Sequence, residues 1–201
     1  MTGNSTGKIG GMLLAAGGSS RLGEAKQLVQ FQGKTLIHRA AETLVDSQCD
    51  PVVVVLGAEI VESTSEIADL PVNICINEDW RSGMSSSIKA GLEEILLIEP
   101  DLGAVIITLC DQPHVTTVNI ELMITEFQRT ASPIVAAQYG ETVGVPALFS
   151  KELFNELIEL NGDKGARQII RDRLPFVKTI EIDKAAVDID VPDDVARLIA
   201  G

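Results

Sequence analysis

Residues 9–26 read IGGMLLAAGGSSRLGEAK, a short apolar run followed by a loop of small residues. The run from Ile9 to Ala15 is aliphatic and uncharged, which is typical of a buried strand. In the loop, small residues allow backbone N–H groups to approach a phosphate closely, and consecutive amides can enclose an anion. Arg21 and Lys26 add positive charge. We therefore predict a strand that leads into a phosphate-binding loop; the alternative is a flexible turn with solvated charges.

The loop matches neither of two common nucleotide-binding motifs. A Walker A loop requires a lysine directly after its last glycine, but Glu24 follows Gly23. The dinucleotide pattern GxGxxG is absent because Gly17 and Gly18 are adjacent. A phosphate bound here would therefore be held by a loop of another type.

The alternation of strand and helix patterns continues along the chain. Short apolar runs predict four more strands, at Val52–Leu56, 72–76, Ala104–Leu109 and 134–137. Apolar residues spaced three and four apart predict helices at 36–45, 88–96, 120–127, 153–158 and 166–170. Such alternation implies a three-layer α/β/α fold with a mostly parallel sheet, whose ligand lies beyond the carboxyl ends of the strands.

The last part of the chain departs from this simple alternation. Residues 177–182 and 187–189 predict strands, and residues 191–200 predict a closing helix. Because no Pro- or Ser-rich linker divides the chain, we expect one domain over residues 1–201, in which residues 1–8 form a loose leader.

The amino-acid composition argues against several classes of binding partner. Acidic residues outnumber basic ones, 29 to 16, and the 201 residues carry a net charge of −13. Binding to nucleic acids or anionic membranes depends on clustered Lys and Arg, so we expect no nucleic-acid and no membrane partner. No apolar run approaches the roughly 20 residues that a membrane helix needs. The three cysteines form no CxxC pair, which favours reduced thiols and a cytoplasmic location.

Two acidic loops are candidates for a metal site. Asp111 follows the run Ala104–Leu109, at a strand end where a carboxylate is well placed to hold a divalent cation. Asp188 and Asp190 point to the same side of the predicted strand that contains them, because side chains alternate along a strand. A helix cap or a turn is the alternative role for Asp111.

Two other loops precede predicted helices. Residues 81–87, RSGMSSS, place free N–H groups at a helix start, where they can bind an anion or a base edge; a serine cap is the alternative. Residues 162–167, GDKGAR, carry two cations that suit an anionic acceptor, and a solvated turn is the alternative. Gly144-Val145-Pro146 predicts a turn.

With Lys26, the first loop resembles the LAAGxSxRxGxxK signature of nucleotidyltransferases that have a glycosyltransferase-A-like Rossmann fold. Within that superfamily, residues 83–87, 111–113, 144–146 and 162–167 look most like segments of the molybdenum cofactor cytidylyltransferases. Residues 188–194, DIDVPDD, resemble that family's DIDTPED segment, with Val191 in place of Thr. The resemblance runs from about Ile9 to the C-terminus and implies a Rossmann-like central sheet.

The resemblance also implies an activity, the transfer of a nucleoside monophosphate from an NTP to a phosphate-bearing acceptor, with Mg²⁺ and release of pyrophosphate. It implies catalytic roles for Arg21, which would hold the phosphates, and Lys26, which would stabilise charge at the α-phosphate. Asp111 and Asp190 would bind Mg²⁺, and Lys164 and Arg167 would lie toward the acceptor. The implied nucleotide-binding residues are Leu14, Ala15, Ala16, Gly17, Gly18, Ser19, Arg21, Lys26, Gly83, Met84, Ser85 and Ser86.

The resemblance favours CTP as the donor. Related guanylyltransferases usually have glycine where this chain has Ala16, and a larger side chain near the base can exclude a purine; Gln112 also resembles the cytidine-specific group. The implied acceptor is a molybdopterin-type cofactor, with an apo-molybdoenzyme as a partner that receives the product. The alternatives are guanylyl transfer, a sugar- or alditol-phosphate acceptor, or a non-catalytic protein that carries cofactor to a molybdoenzyme.

Overall fold

The computed structural model describes residues 7–18 and 25–182. Seven strands within these ranges form a central sheet, in the order β5-β4-β1-β6-β8-β7-β9, and two short strands form a separate hairpin. The strands are β1 (Ile9–Ala15), β2 (Gln30–Phe31), β3 (Lys34–Thr35), β4 (Val52–Leu56), β5 (Asn73–Ile76), β6 (Ala104–Leu109), β7 (Ile134–Tyr139), β8 (Thr142–Ser150) and β9 (Val177–Glu181). In the central sheet, β8 alone runs antiparallel to its neighbours. The predicted mostly parallel sheet is confirmed.

Helices cover both faces of this sheet. They are α1 (Leu36–Val45), α2 (Ile60–Glu66), α3 (Met84–Ile98), α4 (Thr117–Thr130), α5 (Phe154–Ile158) and α6 (Arg167–Asp172). Buried residues of α1 and α4 form one apolar cluster with the sheet, and those of α3, α5 and α6 form the other. Alternating side chains of β1 enter both clusters, since Leu13 belongs to the first and Met12 to the second. The three-layer architecture is therefore confirmed.

Several predicted boundaries shift in the structure. The strand expected at 72–76 begins at Asn73, and the one expected at 134–137 continues to Tyr139. The helix expected at 88–96 begins four residues earlier, at Met84, and α2 was not predicted. The strand expected at 177–182 is β9. The expected strand at 187–189 and the closing helix at 191–200 lie outside the described residues.

The turn predicted at Gly144-Val145-Pro146 is wrong, because these residues lie inside β8. The chain instead reverses between Tyr139 and Thr142, which pair across a two-residue turn that contains Gly140 at a φ of 59°. The register of the β7–β8 pair shifts at Ala136/Ala137, opposite Val145 and Pro146. A bulge leaves residues outside the hydrogen-bond ladder, and this is where a proline without an N–H fits in a strand.

The carboxyl ends of the parallel strands determine where a ligand can bind. β1, β4 and β6 are neighbours in the sheet and end at Ala15, Leu56 and Leu109, along one edge. The loops that follow them therefore lie side by side, as the sequence predicts. Among the described residues, no helix has the length and apolar character to cross a membrane.

Candidate active site

An open cleft of about 970 Å³ lies at the carboxyl ends of β1 and β6. It brings together residues from the loop after β1, the start of α3 and the loop after β6. The predicted nucleotide-binding residues that line it are Leu14, Ala15, Ala16, Gly17, Gly18, Lys26, Gly83 and Met84. The predicted metal ligand Asp111 lines it too. Ser19, Arg21 and Asp190 lie outside the described residues, so their roles stay predictions.

Lys26 and Asp111 form an ion pair in this cleft, which we call the charged end. The Lys26 Nζ donates a hydrogen bond of 2.9 Å to Asp111 Oδ2, although the residues are 85 positions apart. Their side chains are only 18% and 17% exposed. Lys26 is placed by the short 3₁₀ turn Lys26–Leu28, and Asp111 by the end of β6. A cation and a carboxylate therefore lie together where β1 and β6 end.

The second carboxylate oxygen of Asp111 fits a divalent cation. Asp111 Oδ1 is buried and has no hydrogen-bond partner among the described residues. Carboxylate oxygens are ligands of Mg²⁺ and Mn²⁺, and Mg²⁺ is usually held by one or two carboxylates together with substrate phosphates. Residues 7–18 and 25–182 contain no group of three or more His, Cys, Asp or Glu that could hold a metal. The buried Oδ1 atom can thus contribute one protein ligand to a cation that also binds the phosphates of a ligand.

Gln27 fixes the backbone of the loop after β1, a role that the sequence did not predict. Its buried side-chain amide donates to the carbonyls of Ala15, at 2.9 Å, and Gly17, at 2.7 Å. The Ala58 N–H also donates to the Ala16 carbonyl, at 3.0 Å, and so ties the loop after β4 to this one. Since these carbonyls are engaged, the start of the glycine loop is held in one shape before any ligand binds.

The start of α3 packs against the 162–165 segment. Gly83 has a φ of 117°, and a Cβ there would lie 2.3 Å from the Gly162 carbonyl oxygen. Both the N–H and the hydroxyl of Ser85 donate to that carbonyl, at 3.2 and 2.8 Å. Buried Asn77 donates to the hydroxyls of Ser86 and Ser87. The side chains of Ser85 and Ser86 therefore form hydrogen bonds that stabilise the start of α3. Neither residue lines the described cleft.

The two predicted acceptor residues lie in different surroundings. Arg167 lines a smaller, largely apolar pocket of about 130 Å³, and donates to the Tyr139 hydroxyl at 3.4 Å. This pocket shares Leu14, Met84 and Leu109 with the cleft, so the two are contiguous. Lys164 is exposed and, within the described chain, lines neither.

The cleft is also lined by Trp80 and Arg81, which we call the aromatic end. The Arg81 guanidinium lies over the Trp80 ring, 4.3 Å from its centroid. Trp80 is the chain's one tryptophan. The sequence predicted that the 81–87 loop could bind an anion or a base edge, but it did not predict Trp80, because the contacts of the indole with two glycines from other loops have no local pattern.

Cys110 lies next to Asp111 but has no sign of nucleophilic activation. Burial, and then the neighbouring charge of Asp111, raise the pKa of the Cys110 thiol to about 12. A reactive cysteine needs a lowered pKa, because the thiolate is the nucleophile. The site therefore offers a cation, a carboxylate and backbone amides, which suits phosphoryl chemistry by positioning and charge stabilisation.

The chain is similar over nearly its full length to known proteins. Nicotine blue oxidoreductase from Paenarthrobacter nicotinovorans is 32% identical, with 95% of this chain and 96% of that protein covered. A probable molybdenum cofactor guanylyltransferase from Bacillus cytotoxicus is 26% identical over 76% of this chain and 73% of its own length.

Solved structures agree with the fold. Rv0371c from Mycobacterium tuberculosis H37Rv superposes with a TM-score of 0.85 at 27% identity, covering 96% of this chain and 98% of that one. A complex of that protein with manganese gives a TM-score of 0.81 at 25% identity, covering 96% and 98%. Finally, the family model described as "MobA-like NTP transferase domain" matches residues 11–178. The chain therefore belongs to the MobA-like NTP transferase domain family, and it is a nucleotidyltransferase.

Proposed function

We propose that the chain transfers a nucleoside monophosphate from an NTP to the phosphate of molybdopterin, with Mg²⁺ and release of pyrophosphate. The observation that carries this proposal is the Lys26–Asp111 pair, which lies in the cleft beside the glycine loop. The relatives named as molybdenum cofactor guanylyltransferases support the acceptor.

The residues of the cleft suit an in-line displacement. An oxygen of the acceptor phosphate forms a bond to the α-phosphorus, the bond from that phosphorus to the bridging oxygen breaks, and pyrophosphate leaves. The acceptor phosphate is already a nucleophile, so no strong general base is required. Lys26 is positioned to stabilise charge on the α-phosphate, and backbone amides of the glycine loop bind the phosphates.

Asp111 is the residue that would hold the metal ion. Its buried Oδ1 atom has no hydrogen-bond partner in the described chain, whereas its Oδ2 atom accepts from Lys26. When bound, Mg²⁺ neutralises charge on the phosphates. Lys26 fixes the orientation of the carboxylate, so Oδ1 is the oxygen that stays available. Asp190, predicted as the second ligand, belongs to this proposal as well.

The smaller pocket suits the acceptor's ring system. Its walls are mostly apolar, and Arg167 and the Tyr139 hydroxyl supply polar groups. Flat heterocycles bind in such pockets through apolar walls and a few polar contacts. Arg167 therefore keeps its proposed acceptor role. Lys164, exposed and outside both linings, has weaker support.

The relatives and the sequence favour different bases for the nucleotide donor. The relatives named as guanylyltransferases favour GTP, and they support guanylyl transfer better than the CTP preference drawn from Ala16 and Gln112. We therefore take GTP as the proposed donor and CTP as the alternative.

The test is pyrophosphate release by the full chain with Mg²⁺, intact molybdopterin and each of the four NTPs in turn. We expect release that requires both substrates, greatest with GTP, together with a nucleotide–molybdopterin product detected by mass. Release with CTP alone would overturn the guanylyl assignment and keep the reaction. No release with any NTP would overturn the molybdopterin reaction.

A parallel arm tests reduction of nicotine blue with an added electron donor, since one relative is named nicotine blue oxidoreductase. Reduction of nicotine blue without pyrophosphate release would contradict the proposed reaction. Nucleotide binding without turnover on any phosphorylated acceptor would favour the cofactor-carrying role over the enzyme.

A further inference from the structure

The aromatic end and the charged end lie on opposite sides of β1. Trp80 packs on Gly57, which follows β4, whereas Asp111 follows β6, and β4 and β6 flank β1 in the sheet. Two strand spacings, about 10 Å, separate the loop after β4 from the loop after β6. A nucleotide likewise has phosphates at one end and a planar base at the other. The cleft lining thus changes from a charged pair at one end to an aromatic side chain at the other, as a nucleotide changes from its phosphates to its base.

Two glycines allow the indole to lie here. A Cβ at Gly57 would fall 2.6 Å from Cβ and Cγ of Trp80, and a Cβ at Gly18 would fall 2.9 Å from its Cη2. These contacts join opposite ends of the Trp80 side chain, so it spans from the loop after β4 to the glycine loop after β1. Any larger residue at either position would displace it. The indole is therefore fixed by the backbone of the predicted phosphate loop itself.

Arg81 extends this platform into the cleft. Its guanidinium lies 4.3 Å from the centroid of the Trp80 ring, and the residue is exposed. A guanidinium is planar and delocalised, so it stacks on an aromatic ring with one face and can stack on a second ring with the other. Nucleobases stack on arginine planes in this way.

We propose that Trp80 and Arg81 form the nucleobase end of the cleft, where the base stacks on the Arg81 guanidinium and Arg81 determines the preference among bases. This rests on the proposed nucleotide-binding function. Because a purine presents a larger face than a pyrimidine, loss of the Arg81 plane weakens GTP more than CTP.

The test uses the intrinsic fluorescence of Trp80 in the full chain with Mg²⁺, which needs no acceptor and no turnover. GTP and CTP are compared with inorganic tripolyphosphate, which has the phosphates and no base. We expect both nucleotides to change Trp80 emission at saturation. Tripolyphosphate should compete for the cleft while leaving emission nearly unchanged.

Arg81→Lys separates stacking from charge, because lysine keeps the positive charge without the planar group. We expect the Kd for GTP to rise about tenfold, that for CTP to rise less, and that for tripolyphosphate to stay within twofold. The matched control is Arg39→Lys: the Arg39 guanidinium lies 4.9 Å from the Phe31 ring centroid but does not line the described cleft. It should leave all three constants unchanged.

Three outcomes would overturn the inference. Equal weakening of GTP and tripolyphosphate would make Arg81 a phosphate ligand. An unchanged or tighter Kd for GTP would mean that the base binds elsewhere or displaces Arg81. If the wild-type chain bound no nucleotide, the inference and the proposed function would both fall, whereas binding without turnover would remove only the reaction.

Discussion

At the charged end of the cleft, Lys26 reaches Asp111 across 85 positions of sequence, whereas at the aromatic end Trp80 contacts its immediate neighbour Arg81. The charged pair is mostly buried, and its geometry is fixed by the end of β6 and by the 3₁₀ turn that contains Lys26. The aromatic pair is more open and depends on the absence of side chains at two glycines. This difference predicts that changes at the charged end lower kcat, whereas changes at the aromatic end alter nucleotide affinity.

The strongest test of this division is Asp111→Asn. We expect kcat to fall at least about a hundredfold while the fold is retained, because the amide removes the charge that would hold the metal ion and pairs with Lys26. The measurement is pyrophosphate release at saturating NTP. Asp101→Asn serves as the control, since Asp101 is an exposed carboxylate near the opposite end of β6. If Asp111→Asn kept wild-type kcat, the metal assignment would be lost.

A second test concerns the junction of α3 with the 162–165 segment, which contributes Gly83, Met84 and Asp163 to the cleft lining. Gly83→Ala combines a φ of 117° with a clash against the Gly162 carbonyl. Gly162→Ala has a φ of 64° with no atom of the described chain within 4 Å of its Cβ. We expect Gly83→Ala to lower the free energy of unfolding by about 2 kcal/mol or more, and Gly162→Ala by about 1 kcal/mol. Urea denaturation measures both, and equal losses would mean that the junction is looser than described.

Much of the fold could be predicted because its cause is local. A continuous apolar run such as Val52–Leu56 predicts a buried parallel strand, and its bounds are those observed. By contrast, β8 was not predicted, because a Gly-Val-Pro sequence indicates a turn unless a bulge takes the proline out of the hydrogen-bond ladder. That bulge is a property of the β7–β8 pair, so neither strand alone predicts it.

In the candidate site, too, the residues with a local sequence signal could be predicted, and those that depend on contacts between distant segments could not. Asp111 was predicted because a carboxylate after a central strand is a local signal, and the carboxyl ends of parallel strands share an edge. The pairing of its Oδ2 with Lys26 needed the sheet order, and the support that Gln27 gives to the loop needed the path of the backbone. Trp80 could not be predicted because its position depends on Gly18 and Gly57, which are far from it in sequence.

That dependence can itself be tested with a double-mutant cycle. Gly57→Ala places a methyl group against Trp80, so we expect the Kd for GTP to rise about tenfold by calorimetry. In a Trp80→Ala background the methyl group has nothing to displace, and Gly57→Ala should then cost nothing further. Additive effects of the two changes would contradict a coupling between Gly57 and Trp80. Unfolding curves for all four proteins separate loss of affinity from loss of fold.

The smallest effect is expected at Cys110, which lies beside the charged end without taking part in it. Because burial raises its pKa to about 12, its thiol stays neutral across the range from pH 6 to pH 9. A group that does not ionise in that range cannot produce a step in a pH–rate profile. The profiles of the wild-type protein and Cys110→Ala should therefore have the same shape, with kcat values within about twofold. An inflection near pH 8 that Cys110→Ala abolished would show that the thiol ionises during turnover.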